Sequence, residues 1–236
     1  MSDIKKVAFC WFGQYRSMDT TFPMNVENIN QYNGHKEHFY STWSETRDIG
    51  KIVSNQNDDI LGYEPALSKN KTTITYSDFK KLYDFKKGYI HSVETELELV
   101  KANPSDKIQK YGQKELLTFN SMIMHFKSFI NDIKDGNFDL VILLRCDVLY
   151  EFNLNTILKH NIDNNKVYVC GEPNLNQIND WLFVGTSNSM VHFINDLKYG
   201  IGSAHEDWVS YIEKKEKISF HSIESIPNFK INQTIL

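Results

Sequence analysis

A run of five aliphatic residues with no polar interruption, Leu140-Val141-Ile142-Leu143-Leu144, ends abruptly on Arg145-Cys146-Asp147. A strand half exposed to water alternates apolar and polar side chains, so a run without alternation reads as a strand covered on both faces. Layers on both faces of a sheet mean an α/β architecture. In open α/β sheets ligands bind outside the carboxyl ends of the strands. A charged pair at such an end is therefore a first candidate site. Taken alone, Arg145 and Asp147 fit equally well as an ion pair that caps a strand.

The rest of the chain agrees with strands alternating with helices, which argues for a mostly parallel sheet. Lys6 to Phe12 reads as a first strand ending at Gly13, and Asp19, Thr20, Thr21 and Pro23 are helix-start signals just beyond it. His38 to Trp43 and Thr72 to Tyr76 have strand composition, and the apolar residues between them, Ile52, Val53, Ile60 and Leu61, suggest a short helix. Residues 78–113 show weak periodicity and read as a variable region inside one domain spanning 1–236.

From Lys114 to Lys134, Leu116, Phe119, Ile123, Phe126, Ile130 and Ile133 recur three and four apart. That spacing predicts one continuous helix, ended by the turn Asp135-Gly136-Asn137. Further on, the pattern predicts a helix at 154–159, a strand at 166–170, a loop over 171–179 and a strand at 181–184. Helices at 189–197 and 205–214 and a last strand at 218–223 complete it.

Charge narrows the function. The formal net charge is -4, and no Lys/Arg block is long enough to track phosphates, so nucleic-acid binding is disfavoured. Cys10, Cys146 and Cys170 lie far apart, outside any CxxC spacing, and suggest neither a disulfide framework nor structural zinc. A reducing, cytoplasmic location fits. No apolar stretch has the length of a signal peptide core or a membrane span, so any membrane contact is expected to be peripheral.

Three groups of residues could carry chemistry. In Trp11-Phe12-Gly13-Gln14-Tyr15-Arg16 the glycine allows close backbone approach to a ligand, and Arg16 can meet a phosphate bidentately. The loop lacks the GxGxxG pattern of dinucleotide cofactors. Asp147 could help hold a hard cation such as Mn²⁺ or Mg²⁺, which needs few protein ligands when it bridges substrate phosphates, with His221 as a second ligand. Glu206-Asp207 opens a predicted helix, where acids also simply complement the helix dipole. Asn179-Asp180 fits a turn, yet Asp180 is a further carboxylate candidate. Trp11, Trp181 and Trp208 offer faces for a base or a sugar, although large aromatics more often pack in cores.

In this order, the glycine-arginine loop, the charged strand end, the loop from Gly171 to Asn179 that opens on a glycine, the acidic pair and the late histidine make the chain resemble nucleotide-sugar glycosyltransferases of the GT-A fold. It resembles most the small bacterial and viral members whose first strand leads into a Gly-Gln-Tyr/Phe-Arg loop and whose central strand ends in Arg-x-Asp. The resemblance implies an α/β, GT-A-like sheet flanked by helices. It also implies a nucleotide-diphosphate-sugar donor bound by Gly13, Gln14, Arg16, Arg145 and Asp147, and a glycan or glycolipid acceptor.

Arg145-Cys146-Asp147 falls where the family has its Asp-x-Asp metal motif, which implies Mn²⁺ or Mg²⁺ on Asp147 and His221. Arg145 replaces the first acid and could neutralise the diphosphate directly. Asp207 is implied as the base that deprotonates the acceptor, giving inversion, with Glu206 and Asp180 as the accompanying catalytic carboxylates. Two rivals stand beside this reading. One is a non-catalytic nucleotide- or glycan-binding module on a degenerate transferase fold. The other is a nucleotidyltransferase, which would want a lysine between Trp11 and Arg16 where none occurs.

Overall fold

A computed structural model describes residues 6–13, 18–44, 51–54, 60–64, 84–92, 98, 113–152, 154–160, 162–172, 177–199, 218–226 and 231–235. In chain order these form β1 (Lys6–Phe12), α1 (Met18–Asn30), β2 (His35–Trp43), β3 (Lys51–Ser54), β4 (Ile60–Glu64) and β5 (Lys87–His91). There follow α2 (Gln113–Ser128), α3 (Ile130–Gly136), β6 (Leu140–Arg145), β7 (Val148–Phe152), α4 (Leu154–Lys159), β8 (Lys166–Glu172), β9 (Gln177–Gly185), α5 (Ser187–Asp196), β10 (Ser219–Ser222) and β11 (Ile231–Ile235).

Seven strands make the central sheet in the order β10-β8-β9-β6-β1-β2-β5. All neighbours pair in parallel except β9, which runs antiparallel to both β6 and β8. The α/β class with a mostly parallel sheet, expected from the sequence, is therefore the observed one. β6 explains why its sequence does not alternate. Leu140, Ile142 and Leu144 pack into one core cluster with Met18, Phe22 and Ile29 of α1, and Val141 and Leu143 into another with Ile123, Phe126 and Phe129. Each side chain from Leu140 to Leu144 is fully buried, worth roughly 1.5–3 kcal/mol apiece in transfer from water.

The structure departs from the expected elements where local signals compete. Ile52, Val53, Ile60 and Leu61 lie in a two-stranded antiparallel hairpin, β3 with β4, and not in a helix. Three of the four are β-branched and suit a pleated ribbon, and two short apolar runs supply too few turns to sustain a helix. The helix expected over 114–134 divides at Phe129 into α2 and α3. The Ser128 hydroxyl donates to the Met124 carbonyl four residues back (2.9 Å), a bond that competes with the helix ladder and bends it. Phe129 then bonds in the tighter pattern to Phe126 (3.1 Å). Asn137, at φ 49°, ends α3 in the left-handed conformation.

The loop expected over 171–179 is instead mostly the hairpin of β8 and β9, in which Cys170 pairs with Asn179 and Glu172 with Gln177. Inside the variable stretch, β5 supplies an edge strand to the sheet. β11 pairs antiparallel with β7; neither strand was expected. The predicted strand at 72–76 and helix at 205–214 lie outside the described residues. Among the described residues no helix is long and apolar enough to cross a membrane.

α5 is capped by Thr186, whose hydroxyl accepts from the Ser189 amide (3.2 Å). Thr186→Ala is expected to lower stability by about 1 kcal/mol, read as a shift in urea midpoint at unchanged slope; no shift would mean that the cap is replaced by water.

Candidate functional site

The parallel register ends β1 and β6 side by side, with Phe12 opposite Arg145. The Cys146 amide donates to the Phe12 carbonyl (2.9 Å), and the Gly13 amide donates to the Ser41 carbonyl of β2 (3.2 Å). The chain thus leaves three neighbouring strands at one edge. Gly13 turns there at φ 107°, a conformation that strains any side chain. A Cβ added at this position would lie 3.8 Å from the Cys146 sulfur. The backbone angle, and not crowding, therefore calls for glycine.

Beyond β6 the chain turns through Cys146 and Asp147 into β7. Arg145 donates from Nε to Asp147 Oδ1 (2.9 Å) and from Nη2 to Oδ2 (2.8 Å). This two-point, charge-assisted geometry fixes the guanidinium plane. Asp147 is buried, and the Arg145 side chain is 23% exposed. The Arg145 amide donates to the Tyr150 hydroxyl (2.9 Å), which itself donates to the Trp181 carbonyl (2.5 Å). Burial pushes the Tyr150 phenol well above its ordinary pKa, so it keeps the proton it donates. Tyr150 thereby ties the Arg145 backbone to β9, a role no sequence signal advertised. The result is a cationic group held rigidly at the carboxyl edge of the sheet, beside the Gly13 turn.

His221 is not brought to Asp147. It pairs with Tyr168, which pairs with Val184, which pairs with Ile142. His221 is therefore level with the middle of β6 and three strands away, roughly 14 Å across the sheet at the usual strand spacing. Its Nε2 lies 3.0 Å from the Ser219 hydroxyl. Both Asp147 oxygens already accept from a cation, and a divalent ion bound there would stand against the guanidinium. Among the described residues no three His, Cys, Asp or Glu side chains are grouped to hold a metal. The donor set at Asp147 thus fits an arginine and not Mn²⁺ or Mg²⁺.

Trp11 is core. It is 1% exposed, and its indole N–H donates to His38 Nδ1 (3.1 Å). Asp180 lies within β9 and not in a turn, next to the Trp181 that Tyr150 holds beside Arg145. Gln14, Arg16, Glu206, Asp207 and Trp208 lie outside the described residues. Cys10, Cys146 and Cys170 are buried.

A buried polar group flanks the edge at β2 and β5. Ser41 Oγ lies 3.0 Å from His91 Nε2 and 2.8 Å from His125 Nδ1, and His91 Nε2 also lies 3.0 Å from Ser128 Oγ. Ser128 spends its own proton on Met124, so it accepts from His91. The Ser41 hydroxyl can then accept from His91 and donate to His125 Nδ1, which puts the His125 proton on Nε2. That atom is buried and has no hydrogen-bond partner among the described residues. Desolvation holds His125 well below its ordinary pKa and lowers His91 as well; both are neutral imidazoles.

No protein-family model matches the chain, and a search of curated proteins gives no match. Among solved structures, the chain is similar to the glycosyltransferase GlyE of Streptococcus pneumoniae in its apo form (TM-score 0.42, 11% identity, 92% of this chain and 45% of that one). It is also similar to the bifunctional glycosyltransferase WbbM (TM-score 0.46, 10% identity, 93% and 39%). A third likeness is to the galactosyltransferase LgtC in complex with donor and acceptor sugar analogues (TM-score 0.41, 9% identity, 90% and 72%). The chain spans less than half the length of the first two.

Proposed function

We propose that this chain is a glycosyltransferase that moves a sugar from a nucleotide-diphosphate-sugar donor to a hydroxyl of a glycan or glycolipid, with inversion. The observation that carries the reading is the register that ends β1 and β6 together, so that the Gly13 turn and the Arg145–Asp147 pair share one edge. Attack by the acceptor oxygen on the anomeric carbon forms one C–O bond as the bond to the diphosphate breaks. The electron pair leaves on the nucleoside diphosphate, and the acceptor proton passes to Asp207.

Charge on the leaving diphosphate is the main barrier, and a preorganised cation aimed at it lowers that barrier most. Arg145 supplies this cation in our reading, with Gln14 and Arg16 completing the donor loop and Glu206 and Asp180 lining the acceptor side. No step needs Mn²⁺ or Mg²⁺.

The test is calorimetry against a panel of nucleotide sugars with Mn²⁺ or with chelator, followed by assays of donor hydrolysis and transfer. Binding and turnover that survive the chelator support the reading, and an absolute need for Mn²⁺ would overturn the role given to Arg145. An Asp207→Asn chain at full transfer rate would remove the base. Binding without turnover would favour the second reading, a non-catalytic nucleotide- or glycan-binding module. The arginine in place of the family's first acid is the feature that speaks for that module.

A further inference from the structure

Helix α1 does something its sequence conceals. β7 has β11 along one edge, and along its other side the main-chain groups are taken by side chains of α1. The Thr21 hydroxyl donates to the Cys146 carbonyl (2.5 Å), and Asn25 Nδ2 donates to the Val148 carbonyl (2.9 Å). Asn25 Oδ1 accepts from the Tyr150 amide (2.7 Å), and Asn28 Nδ2 donates to the Tyr150 carbonyl (3.0 Å).

Residues 21, 25 and 28 fall on one helical face, and they meet Cys146 in the turn and then Val148 and Tyr150 of β7 in the same order along the chain. Thr21 and Asn25 are buried. A polar ladder inside a core, with each member satisfied, is a specifying device.

Two of these bonds grip the carbonyls on either side of Asp147. The same helix begins at Met18, only five residues after Gly13. The helix that follows the Gly13 turn in the chain is therefore the one that grips the turn carrying the acid.

We infer that Thr21, Asn25 and Asn28 are positioning residues, which set Asp147, and through it the guanidinium of Arg145, at a fixed place beside the Gly13 turn. This rests on the transferase reading for its purpose, but not for its geometry. None of the three touches the reacting atoms; they act through the backbone of the turn.

The experiment uses the full chain, with Thr21→Val, Thr21→Ser and Asn28→Ala. The first readout needs no ligand: exchange of the Arg145 Nε proton, followed by NMR. The bond to Asp147 protects it, and Thr21→Val is expected to speed its exchange about tenfold or more, with Thr21→Ser restoring protection. Unchanged exchange in Thr21→Val overturns the inference whatever the protein binds.

The second readout is affinity for uridine and guanosine diphosphates without metal, as a cycle with Asp147→Asn. Action through Asp147 predicts a loss of about tenfold in Thr21→Val and almost none on top of Asp147→Asn, whereas independent losses that multiply would overturn it. If the native chain binds neither diphosphate and turns over no nucleotide sugar, the transferase reading fails, and the exchange result still decides the inference. Should Thr21→Val not fold, Asn28→Ala, at a half-buried position that frees only the Tyr150 carbonyl, carries the same two readouts.

Discussion

Asp147→Ala is expected to abolish transfer and, separately, to destabilise the protein by about 2–3 kcal/mol. Truncation leaves the Arg145 guanidinium three-quarters buried with its bidentate partner gone. Breaking a buried pair on one side costs about 3–5 kcal/mol, discounted here for the exposed quarter of the arginine. Removing both charges has a different outcome. Arg145→Met with Asp147→Leu should recover most of the lost stability, because well-packed apolar replacements of a buried pair are often neutral.

Turnover separates a capping role from a chemical one. If Arg145 faces the diphosphate, losing it should slow transfer about 100- to 1,000-fold, the usual loss when one preorganised charge-stabilising donor is removed. The double variant would then be stable and inactive. A double variant that is stable and transfers at the native rate makes the pair a strand cap and removes the ground for the proposed function. Urea denaturation and a donor-turnover assay, run on the same preparations, read both.

Acid is expected to unfold the protein between pH 6.5 and 4, above the range in which carboxylates alone would act. His38 is held at a pKa of about 4, first by burial and then by the Lys36 charge, with Asp84 opposing. Its ring stacks on Phe9 with centroids 5.1 Å apart, and its Nδ1 accepts the Trp11 N–H. A protonated ring would lose that acceptor and carry a charge among aromatic side chains. His125 is lowered well below its ordinary value by burial and by His91.

These are depressed pKa values on bases, so the folded state holds fewer protons than the unfolded chain below pH 6.5. Stability therefore falls as pH falls, and is fully present only above the unfolded value. His38 and His125 together give about 2.7 kcal/mol per pH unit within the window, and His91, which is partly exposed, adds less than a third share. From pH 6.5 to pH 5 this removes about 4 kcal/mol, and more by pH 4, which exhausts a stability at the lower end of the typical range of about 5–15 kcal/mol. His38→Gln, which keeps an acceptor for Trp11 and cannot titrate, should flatten the slope by about 1.4 kcal/mol per pH unit. A stability that does not change from pH 7 to pH 5 would show that these imidazoles are wet.

Much of the scaffold could be read without coordinates because it is written in local pattern. β1 and β6 are uninterrupted apolar runs, α4 has the bounds its sequence suggested, and Gly13 marks where β1 stops. Other elements were hidden for definite reasons. β7 and β11 are short, and each exists because the other pairs with it across about eighty intervening residues. The division of α2 from α3 depends on where one serine hydroxyl turns. His221 sat in a suitable order along the chain, but order says nothing about the three strands between it and β6.

Thr21, Asn25 and Asn28 would pass in sequence for the wet side of an amphipathic helix. They are the reverse, because the carbonyls they meet lie more than a hundred residues away.

Side-chain periodicity, then, settled by itself that this chain builds a sheet buried on both faces, with charge at the end of its central strand. That information is local: burial on two faces needs apolar residues in an unbroken run, and such a run is visible in any window of the sequence. Tertiary structure chose between the partners that the sequence left open for Asp147. It gave Asp147 to Arg145 and not to His221, and hung the Asp147 turn from α1, because hydrogen bonds form between atoms a few ångströms apart in space regardless of their separation along the chain.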